Sequence, residues 1–445
     1  MTKDLTKGSP LRLIISFAIP VYLGMLFQQF YNIVDTLIVG RLLGVQPLAG
    51  VGSTGPINFL VIGFCIGVCA GFSIPVAQQF GAGNESELRK YVANSLYLCG
   101  IFSVVLTAVV CVFCKSILTM MKTPEDIFIY ANRYIFIIFL GIPFTFLYNI
   151  LAGILRALGD SRTPVIFLAI SSCINIALDI LTIVVLGMSV EGPAIATVTS
   201  QAISGIICFF YMKKRYRILR MQPEEREIRA GYIGKLCYMG VPMGLQYSVT
   251  AIGALILQAA MNGFGSNVVA GVTAAQRING FITCPLESLG ATMAPYTGQN
   301  MGAGKIDRIG KGTLTASLCG FAVSAFTFVI VLLFGKTLIG LFLDIPDGEV
   351  IAHAYRFLLT TSSAYSLLTL VNVVRFSIQG MGYSMIAIFS GIMEMIARSI
   401  AGLYLAPTFG FPGVCFAHPL AWLFADIFLI PTFFICKNRV QKRLR

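Results

Sequence analysis

Twelve times along this chain an apolar run recurs that is long enough to cross a bilayer as a helix. The hydrocarbon core is about 30 Å thick, which needs about 20 residues at about 1.5 Å each. Within lipid the backbone must satisfy its own polar groups, so the choice narrows to helices or a closed barrel. The runs do not alternate polar and apolar residues, which excludes the barrel. Their expected limits are 11–39, 47–73, 91–113, 128–151, 164–186, 192–212, 232–259, 268–294, 314–334, 351–378, 385–405 and 412–435. Composition agrees: 57% of the 445 residues are hydrophobic and 11% charged, where soluble domains carry about 25% charged residues. The chain therefore reads as an all-α polytopic membrane protein.

The net charge of +13 is not a nucleic-acid footprint, because the basic residues punctuate the apolar runs. Lys3, Lys7 and Arg12 precede the first, and Arg89, Lys90, Arg156 and Arg162 lie in later loops. Seven arginines and lysines fill 213–229. Lys305, Arg308 and Lys311 follow the eighth run, and Lys437, Arg439, Lys442, Arg443 and Arg445 form the tail. The opposite loops offer little more than Arg41, Lys115, Lys122 and Lys336. The positive-inside rule then places both termini in the cytoplasm, in a cell membrane. Twelve cysteines are scattered, many within runs, and the two histidines, His353 and His418, stand apart from any metal-ligand spacing. Neither a disulfide nor zinc is expected, and no cofactor. The polar 1–10 segment with the long run behind it argues against a cleavable signal.

Against this background Asp35 and Asp179 stand deep in apolar runs. A charge at the centre of a membrane helix costs about 2.5–3.5 kcal/mol on insertion scales, which a cation, a proton or a polar partner must offset. Asn175 precedes Asp179 by four residues and so shares its helix face. Ser172 and Thr182 extend that face by a turn each way. Gln28, Asn32 and Asp35 form a comparable stripe. Helix-packing hydrogen bonds are the plain alternative; a cation or proton site within a transporter is the functional one.

The chain is also expected to be an internal duplication. The segment 77–83 (AQQFGAG) aligns with 298–304 (GQNMGAG) at an offset of 221 residues. The same offset joins Ala49-Gly50-Val51 to Ala270-Gly271-Val272 and Gly192 to Gly413, while Pro20 meets Pro242 at 222 and Gly159 meets Gly382 at 223. Matches in one order signal a repeat. Each copy carries six runs, so both insert the same way up. The expected architecture is an N-lobe (1–212) and a C-lobe (232–445), parallel six-helix repeats around a central cavity, joined by a solvated cytoplasmic linker (213–231).

The C-lobe has no aspartate at the places matching Asp35 and Asp179. Its charges are Arg277 and Glu287 in the eighth run, Arg375 in the tenth, and Glu394 with Arg398 in the eleventh. Glu394 and Arg398, four apart in acid-first order, suit an intrahelical pair. These residues either neutralise one another or line a substrate-facing patch. Glu287 is expected within reach of Arg277 or another arginine of that lobe.

Taken together, the twelve runs, the six-plus-six repeat and the glycine motif at 79–83 with its echo at 300–304 resemble the multidrug and toxic compound extrusion (MATE) family. So do Asn32-Ile33-Val34-Asp35-Thr36 with Gly40-Arg41, and Arg156-Ala157-Leu158-Gly159-Asp160. The resemblance, nearest to the prokaryotic DinF-type branch, implies antiport: export of amphipathic, often cationic, drugs or metabolites against inward H⁺ or Na⁺. It implies a coupling site at Asp35, Asn175, Asp179 and Thr197, supported by Tyr134 and Asn149, with Pro20 as a conformational kink. Those oxygen donors suit a hard cation such as Na⁺, and serve a proton equally. A second branch binds its cation through acids of spans seven and ten; here those positions offer Gln246, Gln258, Asn372 and Arg375, which places coupling in the N-lobe. Two close carboxylates in low dielectric titrate as a unit, so a proton, Na⁺ or cationic drug can each relieve their repulsion. A flippase or exporter of an anionic or lipid-linked substrate within the same superfamily is the alternative. The partners implied are a small-molecule substrate and the lipid bilayer, with no nucleic acid and a functional monomer. No nucleophile–base set or phosphate cradle suggests an enzyme.

Overall fold

The computed structural model describes residues 2–341 and 348–444, the last without its side chain. Arg445 of the basic tail lies outside the described residues. Among these residues every regular element is a helix. Nine are long and apolar enough to cross a membrane. Two further spans are each broken: Glu125–Leu140 meets Ile142–Ala157 at 49°, and Gly348–Ser363 meets Tyr365–Gly380 at 50°. Pro143, at the start of its helix, supplies no N–H to continue the first ladder. At the second break Ser362 and Ser363 turn their hydroxyls onto the Leu359 and Thr360 carbonyls, a back-bonding that bends helices. The expected eighth run falls in the helix Ser266–Gly302, which is less apolar than these and carries Arg277, Glu287, Pro285 and Pro295.

Helices extend beyond the expected limits because their polar ends reach out of the apolar layer. The second span moves most. A short helix, Val45–Ser53, stops at Thr54, and the long helix is Gly55–Ala82 rather than 47–73. Its end is the glycine motif: Gly83 adopts φ 71°, which a side chain would resist. Asn84 then caps the next helix by accepting from the Glu87 N–H at 3.2 Å. The echo motif closes in the same way at Gly304, φ 69°. Each half also holds a five-residue π-helical stretch, Leu181–Val185 and Ala401–Leu405.

The residues pack as two units. The first comprises Met1–Asp4 and Leu23–Gly244, the second Leu5–Tyr22 and Leu245–Arg445. Packing therefore divides the chain inside two helices, Pro10–Leu43 and Ala230–Asn262, two residues past Pro20 and Pro242. The expected division at 212 and 232 follows chain order instead. In the first unit the leading part of Ala230–Asn262 crosses Gly55–Ala82 through glycines on both sides. A methyl group at Gly71 would lie 2.5 Å from the Gly240 Cα, and one at Gly67 would lie 2.5 Å from the Met243 carbonyl oxygen. Small residues four apart on each helix, Gly67/Gly71 and Gly240/Gly244, permit that approach.

The basic segment at 213–231, expected as a solvated connector, is largely exposed and is fastened at a few points. Glu225 is buried and accepts from Arg89 Nε at 2.7 Å. Its carboxylate also accepts from the Gln222 N–H, closing a capping box. Asn94 donates to the Glu227 carbonyl at 3.1 Å. Glu225 and the Glu227 backbone carbonyl thus fasten the segment to helix Glu85–Val112, with the basic side chains outward. The Arg89 guanidinium holds Glu225 down to about 2.

Candidate functional site

Three helices of the first unit bring the acidic pair together. Asp35 comes from Pro10–Leu43, Asn175 and Asp179 from Arg162–Ile180, and Thr197 from Glu191–Arg215. Asn175 and Asp179 are 1% and 0% exposed. Their spacing of one turn puts both on the face that packs against Glu191–Arg215. The π-helical stretch begins two residues past Asp179, an irregularity common near functional sites. Asp35 and Asp179 face each other closely enough to share a hydrogen bond once either carries a proton.

Thr197 joins the other members. Its hydroxyl accepts from the Asn175 amide at 3.2 Å and lies 3.2 Å from the Tyr31 hydroxyl. The buried Tyr134 ring lies among Tyr31, Asp35 and Asp179. Four buried oxygens are left without a hydrogen-bond donor: Asp35 Oδ1, Asn175 Oδ1 and both carboxylate oxygens of Asp179. Uncompensated acceptors of this kind are costly away from water. Two carboxylates, an amide oxygen and hydroxyls form the oxygen-only set that suits a hard cation, and the same carboxylates can share a proton.

Other expected members make their hydrogen bonds elsewhere. Asn149 donates back to the Thr145 carbonyl of its own helix at 2.8 Å, and Thr145 in turn donates to Gln201 at 2.9 Å. Ser172 and Thr182 likewise bond their own backbones, at Leu168 and Asp179. Gln28 and Asn32 are exposed. Tyr31 belongs to the site though it was not singled out from sequence; its signal is a position one turn before Asp35 on the same face. Pro20 lies inside its helix, eleven residues ahead of the nearest site residue, Tyr31.

In the second unit Glu394 accepts from two arginines, from Arg375 Nη2 on one oxygen and from Arg398 Nη2 at 3.0 Å on the other. Arg375 Nε donates to Ser390 at 2.9 Å, and Arg398 Nη1 to the Thr250 carbonyl at 3.3 Å. All three charges are buried. The expected reach between Glu287 and an arginine is not found: among the described residues Glu287 makes no ion pair and accepts from Thr283 at 3.0 Å. Glu287 and Arg277 are ten residues apart on one helix, about 15 Å along its axis, and both are exposed. Asp426, buried near Arg375 and Glu394, is a further charge that the sequence reading passed over. It is a lone acid within the last apolar run.

Membrane-crossing helices with acids held between them are the arrangement of a helical membrane transporter. The profile of the MatE family matches twice, at residues 20–181 and 242–407, one match in each half, each beginning at the paired proline. Two Bacillus subtilis (strain 168) proteins are similar over most of their length. "Probable multidrug resistance protein YpnP" is 31% identical over 356 residues, covering 79% of each chain. "Probable multidrug resistance protein YoeA" is 29% identical over 391 residues, covering 86% of this chain and 84% of that one. The solved structure titled "Crystal structure of MATE in complex with MaL6" superposes with TM-score 0.91 at 23% identity, over 99% of this chain and 100% of the other. The chain belongs to the MatE family of multi-pass membrane transporters.

Proposed function

We propose that this protein is a secondary antiporter that exports amphipathic, cationic compounds in exchange for inward H⁺ or Na⁺, coupled at Asp35, Asn175, Asp179 and Thr197. The observation that carries the reading is the convergence of four donorless, buried oxygens from Asp35, Asn175 and Asp179. A proton on either aspartate lets it donate to its partner and removes one charge from the pair. Na⁺ would draw on Asp35, Asp179, the Asn175 carbonyl and the Thr197 hydroxyl. Tyr134 closes one flank. A cationic substrate relieves the same repulsion, so coupling ion and substrate compete, and alternating exposure of the pocket makes the exchange antiport.

The second unit supports a cationic substrate over an anionic one. Arg375 and Arg398 share Glu394 and are buried with it, which leaves neither arginine open to a solute. Purified protein in liposomes, given Na⁺ and pH gradients separately and loaded with cationic dyes or anionic conjugates, tests the reading. Dye movement driven by one gradient, and its loss in Asp35→Asn and Asp179→Asn, is the expected result. Transport of the anionic conjugates alone overturns it in favour of the alternative. Both termini are placed in the cytoplasm on the distribution of basic residues, which labelling of terminal cysteines from each side checks. Function as a monomer is checked by single-particle reconstitution.

A further inference from the structure

We propose that Asp426 is a second proton-binding site, set in the Leu245–Arg445 unit and separate from the Asp35–Asp179 pocket. It sits nine residues past the start of Ala417–Leu444, 3% exposed, and neither carboxylate oxygen has a hydrogen-bond partner. Its helix packs against Ser384–Ile400, which carries Glu394 and Arg398, and against Tyr365–Gly380, which carries Arg375. Arg375 and Glu394 are the charged groups that act on it. The Ile306–Gly340, Gly348–Ser363, Ala401–Leu405 and Phe411–Cys415 helices touch the same helix and add no charge at this point. His418, about two turns earlier, lies against Phe357 and Trp422 instead.

The neighbours of Asp426 are already committed. Glu394 uses one oxygen for Arg375 and the other for Arg398, and Arg375 Nε is taken by Ser390. Two arginines against one glutamate leave a single positive charge. Ionised Asp426 balances it through space; protonated Asp426 leaves it uncovered. Field favours the anion, and the lack of any donor disfavours it. A buried carboxylate fixed as an anion looks different. Asp160, in the cytoplasmic loop, accepts from the Arg162 and Thr163 N–H groups and from the Thr163 and Tyr216 hydroxyls. Despite its burial, those bonds hold its carboxyl below the usual range. Asp426 has none of them, so a proton from water can be taken up and given back without breaking a hydrogen bond. Each uptake changes the buried charge of this unit by one.

Infrared difference spectroscopy of the full-length protein, stepping pH, tests this in an Asp35→Asn/Asp179→Asn/Glu287→Gln background. That background removes the other intramembrane acids without an arginine partner, so the result is independent of the coupling reading above. A titrating carboxylic-acid carbonyl band is expected, and adding Asp426→Asn should abolish it. Asp426→Glu should retain a band at a displaced frequency. Glu394→Gln, which frees both arginines to hold Asp426 as the anion, should remove the band near neutral pH. Absence of any titrating band in the background, its survival in Asp426→Asn, or its indifference to Glu394→Gln each overturns the proposal. Should Asp426→Asn fail to fold, the Glu394→Gln and Asp426→Glu spectra decide it alone.

Discussion

The glycine crossing between Gly55–Ala82 and Ala230–Asn262 sets a measurable stability term. Carbon atoms in contact prefer about 3.5–4.0 Å. A methyl group at Gly71 would meet the Gly240 Cα at 2.5 Å and the Met239 carbonyl oxygen at 2.6 Å, both backbone atoms that cannot rotate away. Relief requires the helices to part by about 1 Å, which forfeits a quarter to a half of the dispersion across the seam. Overpacking of this kind costs about 1–3 kcal/mol, and Gly71→Leu should exceed Gly71→Ala. Gly234 lies on the same helix with nothing within 4 Å of an added methyl. Gly234→Ala should therefore be neutral or stabilising by about 0.5–1 kcal/mol. Thermal unfolding of the purified protein in one detergent, followed by loss of monodispersity, reads both. If Gly71→Ala melts with the parent while Gly234→Ala does not differ either, close backbone contact at this crossing is not a source of stability.

Further outcomes follow from single contacts. Tyr31→Phe removes the hydroxyl beside Thr197 and should weaken the apparent affinity for the coupling ion about 2- to 10-fold, as one net hydrogen bond implies; an unchanged ion dependence of dye transport contradicts it. Glu394→Ala leaves two arginines buried without their shared partner and should destabilise by about 3–5 kcal/mol, read by the same melting assay. Glu225→Gln should undock the basic segment and speed trypsin cleavage within 213–231, with parent-like cleavage as the contrary result. The same contact sets a pH dependence. The Glu225 carboxyl is depressed from 4.5 to about 2, so docking is fully present above the ordinary carboxylate value and is lost as pH falls towards about 2. Hydrogen exchange of 213–231 across that window should rise in the parent and be flat in Glu225→Gln.

The spans and the repeat were legible because length and apolarity alone restrict what lipid tolerates. Asp35, Asn175 and Asp179 could be grouped from two signals, acids inside apolar runs and the one-turn spacing of Asn175 and Asp179, while Thr197 was added by the family resemblance alone. Tyr31 escaped because a tyrosine in a membrane helix carries no such cost, and only its phase relative to Asp35 marks it. Asp426 escaped because it has no counterpart among the positions matching Asp35 and Asp179, and the charges near it, Arg375 and Glu394, come from other helices. At 213–231 the exposed, basic character was legible, but not its anchoring through Glu225, a single acid among many bases whose partner Arg89 lies on another helix. Helix breaks at Thr54 and Ala364 depend on hydroxyl and backbone choices too local for hydropathy. The expected reach between Glu287 and Arg277 failed on helix geometry: ten residues along one helix are about 15 Å, too far for an ion pair.

The most direct measurement is gradient-driven efflux of a cationic dye from liposomes containing the purified protein, with the pH gradient and the Na⁺ gradient imposed one at a time. One gradient should drive efflux in the parent, and neither should in Asp35→Asn or Asp179→Asn at equal reconstitution. The Asp426→Asn protein provides a comparison outside the pocket. Efflux at parent rates in Asp179→Asn, with either gradient, would contradict coupling at the Asp35–Asp179 pocket.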